Sequence, residues 1–85
     1  MGITNKALDI LRGLAKPVEE YGTNEFPLPA VFAHVNVDGT YRFYSDKTHY
    51  TDRVVKEGMQ YAGPFVKITT TGDAAVASGA LVIRF

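Results

Sequence analysis

Apolar and polar positions along the 85-residue chain change period once, early on. At about 100° per residue, Ile3, Ala7, Leu8, Ile10, Leu11, Leu14, Ala15 and Val18 fall on one side of a helical projection, with Asn5, Lys6, Asp9, Arg12 and Lys16 opposite. This pattern predicts an amphipathic helix over residues 4–16. Thr4 or Asn5 would cap it, and Pro17 would end it by lacking the N–H that the helix needs. From residue 30 onward the period is that of strands. Val31, Ala33, Val35, Tyr41 and Phe43 sort to one face if Val37-Asp38-Gly39 forms a three-residue hairpin loop with Gly39 in the left-handed region. That register pairs Val35 with Tyr41 and sets His34 beside Arg42 on the outer face. Two further strand runs close the chain, Phe65–Thr71 and Ala80–Phe85, separated by Gly72, Asp73, small residues and Gly79. Leu81, Ile83 and Phe85 share a face, and so apolar an ending is expected to lie inside a sheet.

Between these elements, Glu19–Pro29 reads as a connector. Tyr21-Gly22-Thr23-Asn24 has turn chemistry, and each residue before a proline in Phe26-Pro27-Leu28-Pro29 is held extended. Ser45–Arg53 reads as a polar, solvent-facing excursion, Val54–Tyr61 as a broken strand or a short helix, with Gly58 and the valines favouring the strand, and Gly63-Pro64 as a break. The expected architecture is mainly β, a small antiparallel β-sandwich or barrel of about five strands preceded by one N-terminal amphipathic helix. The whole chain forms one domain: helix 4–16, connector arm 17–29 and β-module 30–85.

Composition sharpens this picture. A chain of this size buries only about 60–65% of its unfolded surface, so association with copies of itself is expected. Nine basic residues balance nine acidic ones, which argues against a nucleic-acid binder, since phosphate contacts need a basic patch. There is no cysteine, which excludes disulfides, thiolate catalysis and cysteine-bound zinc. No run approaches 18 apolar residues, so no membrane-spanning helix is expected. The N-terminus lacks signal-peptide blocks, and Lys6 stands where a myristoylation motif needs Ser or Thr.

No catalytic or ligand-binding chemistry is supported by the spacing of the polar residues. Asp46, His49 and Asp52, with His34 elsewhere, offer oxygen and imidazole, but their spacing matches no metal loop, and a solvated polar loop explains them. Glu19-Glu20 are adjacent and point apart, so they read as surface charge. Ser45 and Ser78 lack a nucleophile-elbow setting, and Gly72-Asp73 is followed by neither lysine nor helix, so no phosphate loop is formed. The aromatics Tyr41, Phe43, Tyr44, Tyr50, Tyr61 and Phe65 lack the interleaved cations of a single-strand stacking platform and read as packing residues. No catalytic, cofactor or metal residue is therefore expected, and the candidate contact residues are Ile10, Leu11 and Leu14 on the helix face with Phe26 and Leu28 on the arm.

The order of motifs from residue 29 to residue 85 bears on the role. Val35-Asn36-Val37-Asp38-Gly39-Thr40 is followed by a glycine-bearing segment ending in Gly63-Pro64-Phe65. Then Val66-Lys67-Ile68-Thr69-Thr70-Thr71-Gly72-Asp73-Ala74-Ala75 leads to a short apolar terminal strand. This resembles small virion structural proteins of tailed bacteriophages and gene transfer agents, of the head-decoration or spike-base type. The resemblance implies a non-enzymatic, homo-oligomeric β-module that packs on capsid or other virion proteins. Such a chain would be made in the host cytoplasm and located in the virion, without nucleic-acid or membrane contact. The alternative is a small phage-encoded inhibitor that binds a host protein.

Overall fold

The computed structural model describes residues 15–85. Seven strands make up two antiparallel sheets: β1 (Ala15–Pro17), β2 (Ala30–Val35), β3 (Gly39–Tyr44), β4 (Tyr50–Val55), β5 (Gln60–Phe65), β6 (Lys67–Thr70) and β7 (Leu81–Arg84). One sheet has the order β1-β7-β2-β5 and the other β4-β3-β6. The mainly β expectation holds, with seven strands in place of about five and no closure into a barrel among the described residues. The helix expected over 4–16 lies outside the described residues except for its last two. Ala15 and Lys16 run as strand, paired with Arg84 and Ile83 of β7. The sheet therefore begins ahead of the arm, and a single 3-10 turn (Val18–Tyr21) follows β1.

One buried cluster draws on both sheets, with Ala33, Val35, Leu81 and Ile83 from the first and Tyr41, Phe43, Val55 and Ile68 from the second. Burying each large aliphatic side chain contributes about 1.5–3 kcal/mol. Rings close the cluster at two places. Phe43 meets Phe65 at 5.0 Å and Tyr61 at 5.8 Å, while Tyr21, Phe26 and Phe85 meet pairwise edge-on at 5.2–6.3 Å. The final strand lies inside its sheet as expected, flanked by β1 and β2.

The expected hairpin between β2 and β3 is not formed. These strands belong to different sheets and face each other across the core, which explains why the sorting of Ala33, Val35, Tyr41 and Phe43 was right while the pairing was wrong. An inward-facing alternation is the same whether the next strand lies beside or opposite. The hydrogen-bonding groups of Val35 go to the turn before β5, with Val35 N donating to Met59 O and Gly58 N donating to Val35 O. Gly39 is not among the glycines of positive φ. Asp38, the other half of the hairpin signal, accepts the Glu57 N–H at 2.6 Å and so braces the β4–β5 turn. A positive φ occurs at Gly58 in that turn (85°), where Met59 N donates to Lys56 O. Val31 is 47% exposed because a bulge between Ala30 and Phe32 gives its core position to Ala30.

Two further corrections concern the middle of the chain. The supposed polar excursion contains most of β4, which pairs with β3 from Tyr44↔Tyr50 to Gly39↔Val55 around a short loop. Gly63-Pro64 is not a break but part of β5, an edge strand in which a proline needs no ladder donor on its open side. Val54–Tyr61 is a broken strand as expected, divided by the turn at Gly58 between β4 and β5.

Candidate functional site

The outer face of the three-stranded sheet carries the densest polar cluster among the described residues. Register alone builds it. Asp52, Arg42 and Thr69 form one row across β4, β3 and β6, and Tyr50, Tyr44 and Lys67 form the next. Arg42 donates from Nε to Asp52 at 2.9 Å and from Nη1 to Asp73 at 3.1 Å, with its guanidinium 4.0 Å over the Tyr50 ring. The Lys67 ammonium sits 4.1 Å over the Tyr44 ring. The Tyr44 hydroxyl donates to Asp73 Oδ1 at 2.6 Å. Asp73 reaches both partners because its φ of 57° turns the chain back after β6, a conformation that Asp tolerates better than most residues.

The electrostatics of this cluster are those of a fixed surface. The hydrogen bond from Tyr44, with help from Arg42 and against some desolvation, holds the Asp73 carboxyl below the usual range. The same bond pushes the Tyr44 phenol up, so Tyr44 stays protonated at neutral pH and acts as a donor. Asp52 holds the Arg42 guanidinium firmly in its charged form. The charges of Arg42, Asp52 and Asp73 are directed at one another, an arrangement that suits a rigid contact face better than proton transfer.

The sequence-level metal candidates do not converge. Among the described residues no group of three ligating side chains is found. Asp46 Oδ1 accepts the backbone N–H groups of His49 (2.7 Å) and Thr48 (2.8 Å), and its carboxylate meets His49 Nδ1 at 2.8 Å. These bonds, the one from the His49 N–H first, lower the Asp46 pKa to about 2. The cluster is thus a loop brace, and Asp52 is engaged by Arg42. His34 is not beside Arg42 as the hairpin register required. It lies half-buried on the four-stranded sheet, with Nδ1 3.4 Å from Gln60 Nε2.

Glu19 has a role that its sequence does not advertise. Its Oε1 accepts the Ser78 hydroxyl at 3.2 Å and the Gly79 N–H at 3.1 Å, tying the 3-10 turn to the loop before β7. Surface charge is therefore an incomplete reading of Glu19. Glu20 does act that way, pairing with Lys16 at 3.4 Å.

Of the candidate contact residues, Ile10, Leu11 and Leu14 lie outside the described residues. Phe26 is 7% exposed and packed against Tyr21 and Phe85 in the chain's own core, whereas Leu28 is 50% exposed. Exposed apolar side chains that were not singled out from sequence include Val37, Met59 and Val54, the last 72% exposed on edge strand β4. No helix of the described residues is long and apolar enough to cross a membrane. No family model, curated protein or solved structure matches the chain.

Proposed function

We propose that this chain is a non-enzymatic structural subunit of a tailed-phage or gene-transfer-agent particle. It acts as a capsid decoration or cement protein, or as a spike-base adaptor, through packing of its β-module on copies of itself and on virion proteins. The two sheets are read as a small sandwich. The observation that carries the proposal is a neutral, 85-residue chain that leaves Leu28, Val37, Val54 and Met59 at least 42% exposed. Apolar side chains of this kind on an edge strand and turns are the material from which an interface core is built. The resemblance of residues 29–85 to particle proteins supports the same reading. Of the residues that carry it, Lys67–Thr70 form β6, Asp73 lies in the turn that follows, and Leu81–Arg84 form the terminal strand β7. Sedimentation of the full chain tests the oligomeric part. A discrete multiple of 9.3 kDa is expected, shifted toward the monomer by Val54→Asp. A chain that stays monomeric at high concentration and does not co-sediment with capsids would overturn the proposal.

A further inference from the structure

An unpaired sheet edge is a template for a further strand, and proteins block such edges with prolines, bulges or very short strands. Among the described residues, three of the four edge strands carry such a block. β1 is three residues long and ends in Pro17, and β5 contains Pro64 and pairs with β2 across a bulge. β6 has four residues, and its Thr70 N–H is given to Ala74 O. β4 has no such block: its six residues stay in unbroken register with β3 and include no proline. The groups on its open side follow from the ladder. Ser45 N donates to His49 O at the start of the β3–β4 pairing. By antiparallel alternation Thr51, Arg53 and Val55 then direct their N–H and C=O groups at β3, while Tyr50, Asp52 and Val54 direct theirs outward. The side chains of Tyr50, Asp52 and Val54 share the outer face, where Val54 is 72% exposed.

We infer that β4 pairs antiparallel with β4 of a second copy about a two-fold axis through Val54, joining two three-stranded sheets into one continuous sheet. The inference deepens the proposed function and rests on its reading that the chain packs on copies of itself. A two-fold strand pair must be centred on a residue, since side chains opposite each other point to one face. Centring on Asp52 or on Arg53 sets that charge directly against its own copy, which destabilises the pair. Centring on Thr51 or on Val55 sets Val54 against Thr48 or Lys56, beyond the strand, and leaves it without an apolar partner. Centring on Val54 sets the two exposed valines together and lets them exchange a pair of N–H···O=C bonds. The same register places Asp52 opposite Lys56 of the second copy. Lys56 is free to meet it, being 69% exposed and held by Asp38 only at 3.7 Å. Every part of this match comes from β4 and its following residue, which selects a second copy over a foreign strand.

Amide hydrogen exchange on the unmodified full chain tests it, read by NMR at rising concentration beside the sedimenting mass. The Arg53 amide, already bonded to β3, should exchange slowly at every concentration. The Val54 amide should exchange fast in the monomer and lose that fast exchange as the chain associates. Cysteine cross-linking gives a second reading, because the chain has no cysteine of its own. Cα atoms of a hydrogen-bonded pair lie about 5.5 Å apart, within the reach of a disulfide. Val54→Cys should therefore oxidise to a dimer of twice 9.3 kDa, and Thr51→Cys, which the register holds far from its own copy, should not. A Val54 amide that stays fast in the associated chain would overturn the edge pairing and leave the proposed function standing. Cross-linking of Val54→Cys to a different protein in place of a copy, or a chain that never associates, would also overturn the pairing. A chain that pairs through Val54 but is absent from particles would instead overturn the proposed function alone.

Discussion

Asp46 shows how much a single exposed carboxylate can organise. Three residues of sequence bring the N–H groups of Thr48 and His49 onto one oxygen and lower its pKa to about 2. A free Asp titrates near 3.9. Because the folded value is the lower one, the brace is fully present above about pH 4 and is lost as pH falls through about 2. The amide resonances of Thr48 and His49 should therefore shift between those values, and Asp46→Asn should abolish that shift. Asp73 gives a second residue-scale expectation. Since Tyr44 is the main cause of its lowered pKa, Tyr44→Phe should raise the Asp73 carboxyl toward the ordinary range, leaving the smaller effects of Arg42 and Lys67. Carboxyl-carbon NMR titration would show it, and an unchanged Asp73 would mean that the Tyr44 bond is not made in solution.

At the scale of elements, Gly63 is where β5 meets β2 too closely for any side chain. A Cβ there would run into the Ala30 carbonyl oxygen and lie 2.9 Å from Phe65 N. Gly63→Ala should cost about 1–3 kcal/mol through forced backbone movement, a Tm loss of roughly 4–8 °C per kcal/mol that thermal unfolding would record. This glycine was legible as punctuation but not as a packing contact, because its neighbour lies 33 residues earlier. The same limit explains the other misreadings. Alternation located the buried faces of β2, β3 and β7 because each strand reports its own burial. It could not say that β2 and β3 lie opposite each other, since pairing is decided by distant strands. Strand β4 was hidden because it is an edge strand whose outer side chains join a charged cluster, so only Val55 is buried. Glu19 gave no signal because its partner Gly79 is 60 residues away.

The whole molecule combines a shared core with two unlike outer faces and a scatter of exposed apolar side chains at its arm, turns and edge. The polar face is held by internal ion pairs and ring contacts, and the other carries the apolar runs of β2 and β7. Leu28, Val37, Val54 and Met59 are among the exposed apolar side chains available for assembly, and on the proposed function they meet copies of the chain or virion proteins. Quantitative mass spectrometry of gradient-purified particles from the producing host tests that claim most directly. The account predicts the chain in the particle fraction at a fixed copy number relative to the major capsid protein. Recovery of the chain only in the soluble host fraction, free or bound to one host protein, would contradict it.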